Sequence, residues 1–286
     1  MSDEAALLTA IAAHPDEDTP RLMYADWLDE HGQTIRAEFI RVQIDIARKD
    51  HLPRAILNRY VDLFKRNQEL IDDHRAELLG PLAALPPEVR VEFRRGFASE
   101  VDVRVEVFLA TAAVLAAYRP YTRVRVSAVA ARLADFVRCP HLGVVSELAA
   151  FAPAPQSVPE ESELLDAAAR LTRLAVLDLE GCGLADWFCD LLDNFDLPAL
   201  TALDLSQNAL TDIGVENLLR THHPSRLRSL ILGGNDITDA GAVALAAGWP
   251  TGDADRLEHL NLRFTNIGPT GQAALLRRFG GRVDLF

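Results

Sequence analysis

The chain has few cysteines, which small secreted proteins use as disulfides, and fewer basic than acidic residues, unlike most nucleic-acid-binding proteins. Its three cysteines, Cys139, Cys182 and Cys189, are an odd number without a Cys-x-x-Cys spacing, and 286 residues are enough to fold without disulfide staples. Only Lys49 and Lys65 are lysines, and 29 basic residues stand against 42 acidic ones. The net charge of −13 disfavours a nucleic-acid backbone as a partner. These features predict a reducing compartment and no nucleic-acid binding.

Signals for export and membrane insertion are also missing. No apolar run approaches the roughly 20 residues that a membrane helix needs. The first residues, Met1-Ser2-Asp3-Glu4, lack a basic segment followed by an apolar one, so no secretory signal is predicted. We therefore expect a cytoplasmic protein that does not contact a membrane.

Catalytic motifs are absent as well. The sequence has no Gly-x-Ser-x-Gly elbow, no His-Glu-x-x-His pair, no phosphate-binding Gly-x-x-x-x-Gly-Lys loop and no Gly-x-Gly-x-x-Gly fingerprint. Asp16, Glu17 and Asp18 are consecutive acids before a predicted helix, which is typical of a solvated cluster. His222 and His223 are adjacent, and adjacent residues rarely bind one ion together. The sequence predicts no enzyme activity, no cofactor and no metal site.

One phrase occurs four times near the C-terminus. Its copies are Leu174-xx-Leu177-x-Leu179-xx-Cys182-x-Leu184, Leu200-xx-Leu203-x-Leu205-xx-Asn208-x-Leu210, Leu227-xx-Leu230-x-Leu232-xx-Asn235-x-Ile237 and Leu257-xx-Leu260-x-Leu262-xx-Thr265-x-Ile267. The starts are 26, 27 and 30 residues apart, which is the period of a solenoid. Each Leu-x-Leu predicts a short strand with alternating faces, over 176–180, 202–206, 229–233 and 259–263.

A helix is predicted after each strand. Thr211-Asp212-Ile213-Gly214 and Thr238-Asp239-Ala240-Gly241 follow two of the phrases, and Thr or Asp can cap a helix. Gly214, Gly241 and Gly271 recur at one register, where a missing side chain would let the helix approach the strand layer. These repeats resemble leucine-rich repeats of the ribonuclease-inhibitor-like kind. The resemblance implies an α/β solenoid with short parallel strands inside and helices outside.

The last polar position of the phrase is predicted to be structural. In repeats of this kind an Asn at that position normally bonds to backbone in the tight turn. The residues at this register are Cys182, Asn208, Asn235 and Thr265. A buried thiol or hydroxyl can occupy the same turn.

Residues 1–80 are predicted to form a separate small all-α domain. Tyr24-Ala25-Asp26-Trp27-Leu28 and Arg36-Ala37-Glu38-Phe39-Ile40 occur there in order, and residues 3–48 resemble the bacterial repeat-companion domain, which accompanies repeat arrays. Residues 81–286 would then be the leucine-rich-repeat array. A hairpin over 89–103 is expected to cap it, followed by degenerate repeats at Tyr121-xx-Val124-x-Val126 and Val145-xx-Leu148-x-Ala150 and an insertion at 151–163.

The strand face, which is expected to be concave, is the predicted binding surface. Its candidate binding residues are Asp178, Glu180, Asp204, Ser206, Ile231, His259, Asn261 and Arg263. Earlier strands would add Arg123, Arg125 and Glu147. Because adjacent strands lie about 4.8 Å apart, Asp178, Glu180 and Asp204 should lie side by side. Such a charge pattern can select and orient a protein partner.

Three classes of function are compatible with these patterns. The repeats and the missing motifs favour a non-catalytic, monomeric scaffold that binds a protein partner through the strand face. An enzyme or ligand receptor with a site in the helical domain, or at its junction with the repeats, is the alternative. A nucleic-acid or small-ligand receptor is the third.

Overall fold

The computed structural model describes residues 3–14, 17–49, 51–87, 89–118, 123–150 and 161–285. By their contacts the residues divide into two compact units, 1–102 with 111–124, and 103–110 with 125–286. Asp16, Tyr121 and residues 151–160 of the predicted insertion lie outside the described residues. No helix within the described ranges is long and apolar enough to cross a bilayer.

The elements alternate along the second half of the chain. The helices are α1 Asp3–Ala13, α2 Thr19–Glu30, α3 Thr34–Ala47, α4 Arg54–Leu57, α5 Val61–Leu79, α6 Val105–Ala117, α7 Leu133–Arg138, α8 Glu161–Arg170, α9 Trp187–Asp193, α10 Asp212–Arg220, α11 Asp239–Gly248 and α12 Pro269–Phe279. The strands are β1 Arg90–Arg94, β2 Phe97–Arg104, β3 Arg123–Ser127, β4 Val145–Ala149, β5 Val176–Asp178, β6 Ala202–Asp204, β7 Ser229–Ile231, β8 His259–Asn261 and β9 Val283–Asp284.

The first unit contains the predicted N-terminal helices. The first three are present as α1, α2 and α3, and Pro20 starts α2 where its missing N–H costs nothing. Residues 54–79 form two helices, since a 3-10 turn over Asn58–Tyr60 separates α4, which is a single turn, from α5. A second departure from helical geometry occurs at His74 within α5.

The hairpin of β1 and β2 packs on these helices. The ring of Phe39 meets that of Phe93 edge-on at 5.2 Å, and Tyr24 stacks on Phe97 at 5.9 Å. Gly96, in the turn, leaves the space that the Ile40 side chain fills, because a Cβ there would lie 2.4 Å from Ile40 Cγ1. The hairpin therefore groups with the helices by contact, and a boundary at residue 80 stays a prediction.

The second unit is an α/β repeat array. From β3 to β9 the strands lie in chain order in one sheet, and β4 to β9 pair in parallel. The central residues of β5 to β8, namely Leu177, Leu203, Leu230 and Leu260, are register partners and all are buried. The predicted parallel neighbours are confirmed. Strands β5 to β8 are each three residues long, which is two residues shorter than predicted.

The core should depend on the leucines that follow the strands. Leu205 is fully buried, so we expect Leu205→Ala to lower the free energy of unfolding by about 2–5 kcal/mol, because it removes packing and leaves a cavity. Urea denaturation monitored by circular dichroism measures this change. Leu276→Ala is the matched control, since that side chain is 49% exposed. Equal losses in the two variants would contradict the burial of Leu205.

Candidate functional site

The strand face consists of two rows of half-exposed side chains on either side of the buried leucines. The first row, from the first residue of each strand, is Val176, Ala202, Ser229 and His259. The buried leucines at the middle of each strand are the second row. The third row, from the last residue of each strand, is Asp178, Asp204, Ile231 and Asn261. Asp178 and Asp204 are direct register partners on adjacent parallel strands. At a strand spacing of about 4.8 Å, their carboxylates are close neighbours.

Polar side chains of the third row bond to the turn that follows in three of the four repeats. Asp178 Oδ1 accepts a hydrogen bond from the Glu180 backbone N–H at 3.1 Å. Asp204 Oδ1 accepts from Ser206 N at 2.8 Å, and Asn261 Oδ1 accepts from Arg263 N at 2.9 Å. These short side-chain-to-backbone bonds turn the chain two residues beyond the third row. Glu180, Ser206 and Arg263 therefore belong to turns and not to strands.

The turn residues differ in what they offer to a partner. Ser206 is only 8% exposed, and its hydroxyl donates to Asp204 Oδ1 at 2.6 Å. The structure thus buries a side chain that was expected on the open face. Glu180 and Arg263 are exposed. Asp178, Asp204 and Glu180 have no ion pair with any described residue, so this acidic trio has no internal counterion there.

The remaining charges of the strand face lie at its ends. Glu147 of β4 is the register partner of Val176, and Asp284 of β9 is the partner of Asn261. His259 Nδ1 lies 3.9 Å from a carboxylate oxygen of Asp284. Arg125 of β3 is half-buried. Asp178 and Asp204 thus lie on β5 and β6, with Glu180 in the turn after β5, while His259 and Arg263 follow two repeats after β6.

The two asparagines at the turn position of the phrase, Asn208 and Asn235, bond to backbone groups. Asn208 Nδ2 donates to the carbonyl oxygens of Leu179, Leu205 and Ser206 at 2.9–3.0 Å, and Asn208 Oδ1 accepts from Leu184 N at 2.9 Å. Each Asn thus joins its own turn to the preceding repeat. Such bonds satisfy carbonyl groups that a three-residue strand leaves unpaired.

Three other residues occupy this register. Asn235, which is 3% exposed, accepts from Leu210 N at 3.1 Å and donates to Leu205 O and Leu232 O at 2.9 Å. Thr265 Oγ1 donates to Leu262 O at 2.7 Å, and Cys182 Sγ lies 3.6 Å from the carbonyl oxygens of Ala150 and Glu180. Burial, and then the nearby charge of Asp178, raises the pKa of Cys182 to about 11. This thiol is protonated, and so a poor nucleophile, at neutral pH.

A row of aspartates joins the helix starts of successive repeats. Asp186 accepts from the backbone N–H and hydroxyl of Thr211 at 2.8 and 2.7 Å. Asp212 accepts from the same two groups of Thr238 at 2.8 and 2.6 Å, and from Gly241 N at 2.9 Å. Asp239 accepts from Gly268 N and Gly271 N at 2.7 and 2.9 Å.

This row adds a second reason for the recurrent glycines. A Cβ at Gly214, Gly241 or Gly271 would lie 2.4, 2.4 or 2.7 Å from the carboxylate of the preceding repeat's aspartate. It would also lie 3.2, 2.9 or 2.8 Å from Leu210, Ile237 or Ile267, so the glycines make room both for the carboxylate and for the apolar side chain that ends the phrase of their own repeat. The sequence shows aspartates at one register, Asp212 and Asp239, but not which backbone groups they reach.

The aspartate row should make stability depend on pH. Burial alone would raise the pKa of Asp212, but hydrogen bonds from the side chain and backbone of Thr238 and from the backbone of Gly241 lower it below its usual 3.8. A carboxylate with a depressed pKa stabilises the fold fully above its unfolded-state pKa and loses this contribution as the pH falls through its folded-state pKa.

We expect Asp212→Asn to destabilise the protein by about 1–2 kcal/mol near neutral pH, because the charge at a helix start and across repeats is lost. The difference from the parent should shrink as the pH drops through 3.8 and below. Urea denaturation at several pH values measures both effects. Asp236→Asn is the control, since that exposed side chain has no bond to a described residue. A difference that does not change with pH would contradict the role of the carboxylate.

The first unit contains an open cavity of about 360 Å³. It is lined by the helix residues Gln43, Ile46, Ala47, Phe64 and Asn67, by the hairpin residues Glu92, Phe93, Arg94, Arg95, Ser99 and Glu100, and by Arg123. Gln43 is 7% exposed and donates to Asn67 Oδ1 at 2.7 Å. Arg94 is exposed and forms no ion pair with a described residue. The cavity combines apolar walls with amides and with both cationic and acidic side chains, of which Arg123 and Glu100 pair with each other at 3.7 Å.

The remaining candidates for chemistry are structural in their contacts. His223 is fully buried, and its Nε2 lies 3.0 Å from the Leu192 carbonyl oxygen, to which Nε2–H donates. Burial lowers the pKa of His223, so the ring is neutral. Asp26 and Asp29 both accept from Arg41 at 2.7 Å. Across the described part of the chain, no three His, Cys, Asp or Glu side chains are grouped to hold a metal ion.

Comparisons with known proteins match the repeats. The profile of the family described as "Leucine Rich repeat" matches residues 197–219, 223–246 and 257–276. A search of curated proteins gives no match. Among solved structures, an internalin from Listeria monocytogenes is similar at 18% identity with a TM-score of 0.32, covering 57% of this chain and 44% of that one. The chain thus spans less than half the length of that internalin.

Proposed function

We propose that this chain, whose residues 197–276 are leucine-rich repeats, is a non-catalytic interaction scaffold that binds a basic segment of a protein partner on its strand face. The partner's cationic side chains would meet Asp178, Glu180 and Asp204. We propose further that the protein is cytoplasmic, monomeric and bacterial, and that residues 1–80 are the repeat-companion domain, as the resemblance of residues 3–48 implies.

One observation carries the proposal. Asp178 and Asp204 are register partners, and both are half-exposed and without a counterion among the described residues. Like charges held side by side repel each other, so a cation placed between them is favoured on electrostatic grounds. Their bonds to backbone N–H groups fix each carboxylate by one oxygen. Asp178 and Asp204 are therefore positioned before a partner arrives, which reduces the entropy cost of binding.

The charge pattern also supports an orientation for the partner. Charges across an interface affect association rate and specificity more than affinity. Asp178 and Asp204 lie on β5 and β6, Glu180 follows β5, and Arg263 follows β8. A partner with a basic segment facing β5 and β6 and an acidic one facing β8 complements this pattern, whereas the reversed orientation opposes like charges.

A second candidate function is the binding of a small ligand by the first unit. Its cavity of about 360 Å³ falls within the roughly 300–1,000 Å³ of ligand pockets. Phe64 and Phe93 offer apolar surface, and Arg94 offers a cation without an ion pair among the described residues. These groups suit an amphipathic organic anion. A fragment screen by ligand-detected NMR with the parent and Arg94→Ala tests it, since fragments bound equally by both would contradict this use of the cavity.

The scaffold proposal is tested by removing charge without breaking the turns. Asn261 occupies the same register as Asp178 and Asp204 and accepts the same backbone hydrogen bond. Asp178→Asn with Asp204→Asn should therefore keep both turns, and Glu180→Gln completes the neutralisation. We expect the triple variant to melt within a few degrees of the parent, because surface substitutions usually shift stability by less than about 0.5 kcal/mol.

The measurement is affinity capture from native cell extract with mass spectrometry of the retained proteins. The triple variant should lose the basic proteins that the parent retains, and raised salt should have the same effect on the parent. Neutralising three exposed acids of the first unit, Asp62→Asn, Glu30→Gln and Asp72→Asn, gives a control of equal net charge. A list of retained proteins identical to that of the parent would place binding elsewhere.

A further inference from the structure

One turn position has a left-handed backbone in all four repeats. It is occupied by Gly181, Gln207, Gly234 and Phe264, with φ between 56° and 67°. Glycine adopts this conformation without steric cost, whereas a bulky aromatic rarely does. Phe264 nonetheless lies there with 81% of its surface exposed, so it gains little burial in return. Strained residues that gain nothing from packing cluster at sites that bind.

A second position breaks the repeat pattern beside it. Ile231 is the apolar member of the third row, where the other three repeats have Asp178, Asp204 and Asn261. It is half-exposed, and its side chain has no acceptor for the turn that follows. An apolar side chain on an open strand face removes a turn-stabilising bond and exposes hydrocarbon.

Two glycines lie next to Ile231 and Phe264. Gly234 N donates to the Arg263 carbonyl oxygen at 2.8 Å, and a Cβ at Gly233 would lie 3.0 Å from the same oxygen. The space above Gly233 is occupied by Asn261 Oδ1, 3.3 Å from where a Cβ would lie, and the space above Gly234 by the Gln207 side chain. The apolar side chains that are exposed or half-exposed here are those of Phe264 and Ile231, which we call the Phe264 patch. The side chain of Gln207 contacts Gly234 and bounds the patch on the side of the preceding repeat.

The charge beside the patch indicates what covers it. The Arg263 guanidinium lies 5.8 Å from the centre of the Phe264 ring and forms no ion pair with a described residue. A guanidinium without a counterion next to exposed hydrocarbon complements an apolar side chain followed by a carboxylate. Exposed aromatics and arginines of this kind are the residues that most often dominate protein interfaces.

We propose that the Phe264 patch is the anchor of the partner interface and takes an apolar side chain of the partner, while Arg263 binds an adjacent carboxylate. This inference rests on the proposed scaffold function and concerns the end of the strand face opposite to the acidic trio. The partner segment is therefore bipolar, with its apolar and acidic part on β7 and β8 and its basic part on β5 and β6.

A defined probe tests the anchor. A library of random linear peptides displayed on phage is selected on the full chain, and the selected peptides are synthesised for fluorescence polarisation. We expect them to share an apolar residue next to Asp or Glu. Phe264→Gln should weaken their binding about tenfold or more. Gln207 already occupies this turn at φ 56°, so Phe264→Gln keeps the backbone, and its melting temperature should not fall.

Two comparisons make the result specific. Trp187→Ala removes another exposed aromatic, 56% exposed at the start of α9, and should leave the affinity unchanged. Replacing the peptide's carboxylate by an amide should weaken binding to the parent. The same replacement should cause no further loss of affinity for Arg263→Gln, because the proposed partner of the carboxylate is already absent in that variant.

The outcomes separate this inference from the scaffold proposal. Peptides that lose affinity with Asp178→Asn and Asp204→Asn but not with Phe264→Gln overturn the anchor and leave the acidic site in place. Peptides that depend on Phe264 alone support the anchor and remove the acidic trio from the interface. A selection that yields no peptide sensitive to Phe264→Gln overturns the anchor.

Discussion

The repeat array depends on hydrogen bonds between side chains of one repeat and the backbone of the next. A three-residue strand leaves carbonyl and N–H groups at both ends without a partner in the sheet. Asn208 and Asn235 supply those partners where the strands end, and Asp186, Asp212 and Asp239 supply them where the helices begin. Without these bonds, buried polar groups would each cost roughly 1–3 kcal/mol.

The two rows of bonds also set the geometry of the strand face. They hold each repeat to its neighbour at two points beyond the strand, one in the turn and one at the start of the helix, which fixes the register between the strands. The position of Asp178 beside Asp204 follows from this register and from the buried leucines between the rows. A binding surface spread over several repeats needs such a fixed spacing, because its side chains come from distant parts of the sequence.

The repeat spacing was sufficient to predict the parallel strands and the residues on their open face. It was not sufficient to predict the turns that follow the strands. The Leu-x-Leu register predicted β5 to β8, but the strands end two residues early, and in three of them Asp178, Asp204 and Asn261 bond to the backbone of the turn ahead. The same bonds, with the burial of Ser206, change the candidate site. The glycine register was visible too, but part of its cause lies in a contact between repeats that periodicity does not encode.

The residues that break the repeat pattern are more informative about function than those that obey it. A residue repeated at one register is explained by the packing of that register, as the leucines, asparagines and aspartates are. Ile231 and Phe264 give up a turn bond and a relaxed backbone and gain no burial within the chain. At each of these two positions, neighbouring repeats of the same fold carry a residue that keeps the turn bond or the relaxed backbone. The apolar side chains at these two positions of consecutive repeats are therefore better explained by binding of a partner than by packing within the chain.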